Sequence, residues 1–227
     1  MTRAIVIGAG GGIGRALAAA IEERGGDVVR LSRRSEPALD LEDDASIAAA
    51  AMALAGRGPF DLVIVATGLL HGDGVRPEKS LRDIEGAALD RLFRINAIGP
   101  AVVLRHFLPL LAKDRPSVFA ALSARVGSIG DNRLGGWVGY RASKAALNQM
   151  IRTLAIELGR TNPHAVLVGL HPGTVDTPLS TPFQRNVDAD RLFSPEQAAG
   201  LLLDVIAGLA PDDSGHCLDW AGKRIAP

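Results

Sequence analysis

The chain has 227 residues, 47% hydrophobic and 22% charged, with 25 basic residues balancing 25 acidic ones. That length suffices for an α/β sheet covered on both faces, and the charge balance leaves no field to draw nucleic acid or an anionic membrane. One cysteine, Cys217, and five scattered histidines exclude an internal disulfide and any metal cluster with ligand spacing.

In chain order, the apolar run Ala4-Ile5-Val6-Ile7 breaks into Gly8-Ala9-Gly10-Gly11-Gly12-Ile13-Gly14 and then into Arg15-Ala16-Leu17-Ala18. This predicts a strand, a glycine turn and a helix. The spacing G-x-G-x-x-G fails because Ile13 stands where its third glycine belongs, whereas Gly8, Gly12 and Gly14 satisfy G-x-x-x-G-x-G. Glycines let a phosphate approach main-chain N–H groups at the positive end of the helix, so the backbone from Gly8 through Gly10, Gly11, Gly12 and Ile13 to Gly14 is a candidate pyrophosphate cradle. The competing reading is a flexible turn without a ligand.

The first helix, over about residues 14–24, stops at Gly25-Gly26, and residues 27–31 read as a second strand. An acidic residue at its end would bind a ribose 2′-hydroxyl, but the run is Ser32-Arg33-Arg34-Ser35. Guanidinium forks and a hydroxyl suit a 2′-phosphate, which favours NADP(H) and leaves NAD(H) possible; a solvated basic loop is the alternative. Residues 38–41 read as a third strand, with Asp40 and Leu41 beside an adenine, or else with Asp40 as a helix-capping carboxylate. A helix over 43–55 and a buried strand over 60–66 follow. That strand ends in Ala66-Thr67-Gly68, where a glycine permits close approach of a cofactor.

Residues 69–85 are irregular, with His71 read as a surface histidine, and residues 86–112 are helical. Within them Asn96 is flanked by apolar residues, and a buried amide there must be hydrogen-bonded and can hold a local helix distortion or an ordered water. A strand over 117–122 leads into Ser123-Ala124-Arg125-Val126-Gly127-Ser128, then a polar loop to Gly136 and a helix over about 137–160. Tyr140, the chain's one tyrosine, and Lys144 share a face of this helix, so that an ammonium beside the phenol lowers its pKa and makes it a usable general acid/base. Residues 165–170 form a further strand, and Pro172-Gly173 turns the chain out of the sheet. Residues 178–193 have the composition of a substrate-covering loop, with Phe183, Leu192 and Phe193 as possible walls. Ser194-Pro195-Glu196-Gln197 starts a helix, and 216–220 is the last strand.

These residues together resemble the short-chain dehydrogenase/reductase family over nearly the full length. The resemblance rests on Gly8, Gly12 and Gly14; Asp40-Leu41; Ala66-Thr67-Gly68; Asn96; Tyr140 and Lys144; and Pro172-Gly173-Thr174-Val175-Asp176-Thr177. The short second crossover, 123–129, 140–148 and Leu218-Asp219-Trp220 look most like its C-factor and sniffer-type carbonyl reductase branch. It implies a Rossmann-type doubly wound parallel sheet of about seven strands with helices on both faces, in one domain spanning 1–227. It further implies that Tyr140 donates the proton, Lys144 also holds the nicotinamide ribose, Asn96 supports a proton relay, and Thr177, with Pro172, Gly173 and Val175, lies at the nicotinamide. The family's carbonyl-polarising serine falls three residues before the loop glycine, where this chain has Ala124, so Ser123 and Ser128 are the candidates.

The expected activity is hydride transfer between NADP(H) and a small ketone, aldehyde or secondary alcohol; the alternative is a cofactor-sensing or signalling protein with little turnover. No apolar run reaches spanning length and no signal-peptide layout opens the chain, so a cytoplasmic protein is expected, without nucleic-acid or membrane partners. A homodimer or homotetramer is expected from the resemblance and from apolar residues on more than one face of the helices at 86–112 and 137–160.

Overall fold

The computed structural model describes residues 1–72 and 74–227, without the side chains of Asn186 and Ala189; Asp73, inside the segment read as irregular, lies outside the described residues. Its elements are β1 (Arg3–Ile7), α1 (Gly12–Glu23), β2 (Asp27–Leu31), α2 (Asp44–Leu54), β3 (Leu62–Val65), α3 (Gly86–Phe93), α4 (Gly99–Phe107), β4 (Ser117–Leu122), α5 (Val138–Thr161), β5 (Ala165–His171), β6 (Thr174–Val175), β7 (Leu192–Phe193), α6 (Pro195–Ala207) and β8 (Cys217–Asp219). Six strands pair in the order β2-β1-β3-β4-β5-β8, every pair parallel. This is a Rossmann-type doubly wound sheet.

Side chains alternate across each strand and so divide the core into two layers. Ile5, Ile7, Val63, Val65, Phe119 and Ala121 pack with α2, α4 and α5 through Ile47, Val103, Phe107, Leu147 and Ile151. On the opposite face Ala4, Val6, Leu62, Ile64 and Ala120 pack with α1 and α6 through Leu17, Ile21, Leu202 and Leu203. Near-continuous apolar strands are what a sheet covered on both faces demands. Among the described residues no helix is long and apolar enough to cross a membrane.

One expectation is corrected. The sheet has six strands rather than seven among the described residues, because 38–41 is not a strand. A parallel crossover needs a dozen or more residues, whereas here the chain turns back at once, with Ser35 Oγ bonded to the Ser32 and Pro37 carbonyls and Leu39 N–H to Ser32 O. The helix read over 86–112 is interrupted by a π-helical turn, Arg94–Ile98, which widens the helix around Asn96. Part of the loop at 178–193 is ordered by β7 pairing with β6 in a small two-stranded sheet.

Strand order reverses at β1, so the carboxyl ends of β1 and β3 flank a crevice, the place where such sheets take ligands.

Candidate active site

A cavity of about 510 Å³ opens at that crevice, lined by Gly8, Gly10 and Gly11 after β1, Ser32, Arg33 and Arg34 after β2, Leu39 to Glu42, Ala66 to Leu69 after β3, and Arg91 and Ile95. The glycines divide by role. Gly8 has φ +87°, and a Cβ there would lie 2.7 Å from Ala66 O; a Cβ at Gly14 would lie 2.2 Å from Gly8 O, so strand and helix meet through glycine. Gly12 abuts Thr177, whose Cγ2 would be 2.9 Å from an added Cβ. At Gly10 an added Cβ would meet only Ser32 Cβ at 3.8 Å; the space above it is open. Gly12, Ile13 and Gly14 do not line the cavity. Ile13 packs its side chain into the α1 layer, leaving only its backbone toward the turn.

The start of α1 has no side-chain cap and no acidic residue in its first turn, so its leading N–H groups face the crevice without an internal anion. Thr67 Oγ1 is buried and has no partner. Arg33 and Arg34 stand exposed at the rim and, among the described residues, make no ion pair. The Arg34 N–H is held by Ser32 Oγ at 3.1 Å. An uncapped helix start, an orphan hydroxyl and two unpaired guanidinium groups fit a dinucleotide phosphate. Asp40 does not cap α2: Asp43 does, accepting from Ala45 N at 2.9 Å, while Asp40 Oδ1 accepts from Glu42 N and its own N–H is bonded to Ser46 Oγ. Leu41 is largely buried and contributes to the cavity lining.

The buried stripe of α5 carries the second group of candidate residues behind Gly68. Tyr140, Ser143, Lys144 and Leu147 lie on it. Lys144 Nζ donates to Leu122 O at 2.8 Å and sits 5.9 Å from the Tyr140 ring centre. Asn96, fully buried, accepts Leu69 N–H and donates to Leu69 O, both at 2.8 Å, and donates to Ser143 Oγ at 3.1 Å, tying the exit of β3 to α5. A Cβ on Gly68 would lie 3.7 Å from Asn96 Oδ1 and 3.8 Å from Lys144 Nζ, so both polar groups stand at van der Waals distance from this strand end. Asn96 and Lys144 thus approach the cavity at Gly68, although no residue of α5 lines it.

Burial sets the protonation states. It pushes the Tyr140 phenol up to about 12 and the Lys144 ammonium down to about 8. The expectation that Lys144 lowers the tyrosine's pKa is overturned, because desolvation dominates and the ammonium is turned to a carbonyl. Neither serine hydroxyl is free for a carbonyl. Each has one proton to donate, and Ser123 donates it to Asn148 Oδ1 at 2.6 Å while Ser128 donates to Pro227 O at 3.2 Å and accepts Asp131 N–H. Ala124 instead stands in an apolar cluster with Tyr140, Leu70, Val75 and Leu92, edged by Leu69, Val126, Trp137, Leu179 and Phe183.

Residues 2–188 match the profile of the short chain dehydrogenase family. The chain belongs to that family. The C-signal of Myxococcus xanthus is 38% identical over 147 residues, 64% of this chain and 82% of that protein. The 1-hydroxy-2-glutathionyl-2-methyl-3-butene dehydrogenase of a Rhodococcus species is 29% identical over 227 residues, 95% of each chain. A short-chain dehydrogenase/reductase of Burkholderia multivorans, solved with bound NADP, superposes with a TM-score of 0.82 at 27% identity, covering 100% of this chain and 99% of that one. This short-chain dehydrogenase is by family an oxidoreductase.

Sequence reasoning missed Trp137 and misplaced other residues. His71 is half-buried rather than on the surface: Nε2 lies 3.1 Å from both the Pro178 and Leu179 carbonyl oxygens, and its ring meets Phe183 edge-on at 5.6 Å. Trp137, never singled out, packs 4.9 Å from Phe183 and 6.4 Å from Tyr140, ring centre to ring centre. Of the three wall candidates only Phe183 joins the Tyr140 cluster. Leu192 and Phe193 belong to β7, and Phe193 packs on Trp220 and against Gly173. Pro172 and Val175 are buried, and none of Pro172, Gly173, Val175 or Thr177 lines the cavity; Thr177 packs against Gly12, which does not line it either.

Proposed function

We propose that this short-chain dehydrogenase is an NADP(H)-dependent oxidoreductase that reduces a small ketone or aldehyde, or oxidises the corresponding secondary alcohol, with NAD(H) the weaker cofactor. The observation that carries the reading is that Asn96 and Lys144 stand beside Gly68, a residue of the cavity's lining, with Lys144 Nζ 5.9 Å from the Tyr140 ring centre. When bound, the nicotinamide supplies or accepts the hydride. The uncapped start of α1 and the backbone of residues 8–14 hold the pyrophosphate, Arg33 and Arg34 with Ser32 hold the 2′-phosphate, and Asp40 and Leu41 flank the adenine. Ala66 to Gly68 and the segment Pro172, Gly173, Val175 and Thr177 receive the nicotinamide half.

Tyr140 gives its phenolic proton to the carbonyl oxygen during reduction. A phenol held near 12 is fully protonated at neutral pH, as a proton donor must be. Lys144 stays an ammonium up to about pH 8 and aligns the ribose and the phenol. Asn96 fixes the strand exit against α5. With Ala124 in the wall and both serine protons engaged elsewhere, the donor to the substrate oxygen is assigned to Tyr140, and the apolar walls exclude water from it. The NADP-bound relative and the full-length dehydrogenase relative support this reading.

We further propose that residues 1–227 act as one cofactor-binding domain, with 178–193 covering the substrate. A homodimer or homotetramer would use the helices within 86–112 and α5, on which Val138 and Ile156 are 42% and 51% exposed. A second reading, a signalling protein with little turnover, draws on Ala124 and on the likeness to C-signal. Loss of NADPH absorbance with a panel of ketones, aldehydes and quinones separates the two: turnover with any of them supports the enzyme, and tight NADPH binding without turnover supports the sensor.

A further inference from the structure

The helix that carries Tyr140 begins without a cap of its own. Trp137 is its N-cap residue, offers no side-chain hydrogen bond, and holds a left-handed backbone with φ 53° and ψ 45°. Among the described residues it is the one non-glycine with positive φ, a conformation in which a bulky residue is strained and which persists only where its surroundings impose it.

What imposes it comes from the segment before α3. The Glu78 carbonyl accepts the Trp137 N–H at 2.7 Å, and Glu78 Oε1 accepts the Gly139 N–H at 3.1 Å, across 61 residues of sequence. Glu78 is 2% exposed, and its Oε2 is buried with no partner. Burying a carboxylate is costly, and the positive end of a 24-residue helix is a place that offsets it. The fit leaves no slack, since a Cβ on Gly139 would lie 2.8 Å from Glu78 Oε1 and 2.6 Å from Leu92 Cδ1. Tyr140 is the next residue.

We propose that Glu78 is a positioning residue for this reaction: by gripping Trp137 through its carbonyl and Gly139 through its carboxylate, it fixes the first turn of α5 and with it the place of Tyr140 against the Trp137 ring. The proposal rests on Tyr140 being the proton donor. A cap that only stabilised the fold would act on the whole molecule alike; this one acts on the tyrosine.

Because Tyr140 is the chain's one tyrosine, its ionisation is readable by ultraviolet difference titration without any turnover. Lys144 is the charged group over its ring, and burial keeps the parent phenol un-ionised beyond its ordinary value of about 10. Glu78→Ala, which opens the start of α5 to water, is expected to bring the titration back to about 10 and to lower kcat at least tenfold, with the Kd for NADPH within twofold of the parent. Glu78→Gln keeps an acceptor for Gly139 and is expected to restore both properties to within threefold. A folded Glu78→Ala protein with parental tyrosine titration and kcat overturns the proposal, as does a loss of kcat and NADPH affinity together that glutamine does not rescue. If the alanine variant does not fold, Glu78→Asp draws the carboxylate back by one methylene and is expected to lower kcat about tenfold at unchanged NADPH affinity; an unaltered kcat overturns the proposal. Should Tyr140→Phe retain turnover, the proton-donor reading fails by itself, and the tyrosine titration still reports whether Glu78 holds the turn.

Discussion

Gly14 and Gly10 stand four residues apart in one glycine run, and the structure gives them opposite jobs. A Cβ on Gly14 would sit 2.2 Å from Gly8 O, about 0.8 Å inside the 3.0 Å that real Cβ atoms keep, and the obstacle is backbone that cannot rotate away. Gly14→Ala must therefore push α1 off β1, an overpacking cost of about 3 kcal/mol, at the top of the usual range. For a chain of this length that is roughly 6–12 °C in Tm. Gly10→Ala meets only Ser32 Cβ at 3.8 Å, and Gly10 is not among the positive-φ glycines, so the variant should melt within about 2 °C of the parent. Its methyl would fill the space read as the phosphate's, so NADPH should bind at least tenfold more weakly, about 1.4 kcal/mol. Thermal melts and fluorescence titration of NADPH read both effects. Parental NADPH affinity in Gly10→Ala would refute the cradle, and a parental Tm in Gly14→Ala would refute the packing argument.

Arg33→Ala removes a charge-assisted contact of about 1.5–3 kcal/mol and should weaken NADPH about 10- to 100-fold while leaving NADH unchanged, less so at high salt. Equal losses for both cofactors would make the arginines a solvated loop. His171 carries an acid-stability prediction. Burial, with the Arg125 cation beside it, pushes its imidazole from 6.5 down to about 4, so between those values the unfolded chain binds more protons than the native one and stability falls as acid is added. His171→Gln should remove up to about 3 kcal/mol of that fall in urea titrations at pH 6.5 and pH 4; an unchanged slope refutes the assignment.

What could be read from the sequence was what local chemistry writes locally. The strand, glycine turn and helix at residues 2–24 show as an apolar run, a glycine cluster and an alanine-rich stretch. Tyr140 and Lys144 show because four-residue spacing on a helix is enough to place them on one face. The failures share a cause. Residues 38–41 alternate like a strand, but pairing depends on crossover length, which periodicity does not encode. Ser123 and Ser128 have the right residue type, and only the fold reveals that Asn148 and Pro227 take their protons. Glu78 and His71 lie in a segment with no regular pattern, and their partners, Gly139 and the Pro178–Leu179 carbonyls, stand 61 and more than 100 residues away. Burial also reversed the sign of the expected tyrosine shift, since spacing reports a neighbour's charge and not the water that folding removes.

The central claim is that Tyr140 is the proton donor of an NADP(H)-linked reaction, and Tyr140→Phe addresses it with the smallest possible change. The ring keeps its packing against Trp137, and only the hydroxyl is lost. With a carbonyl substrate that the parent reduces, kcat should fall roughly 100-fold or more while the Kd for NADPH stays within about twofold. Turnover within a few-fold of the parent would contradict the account.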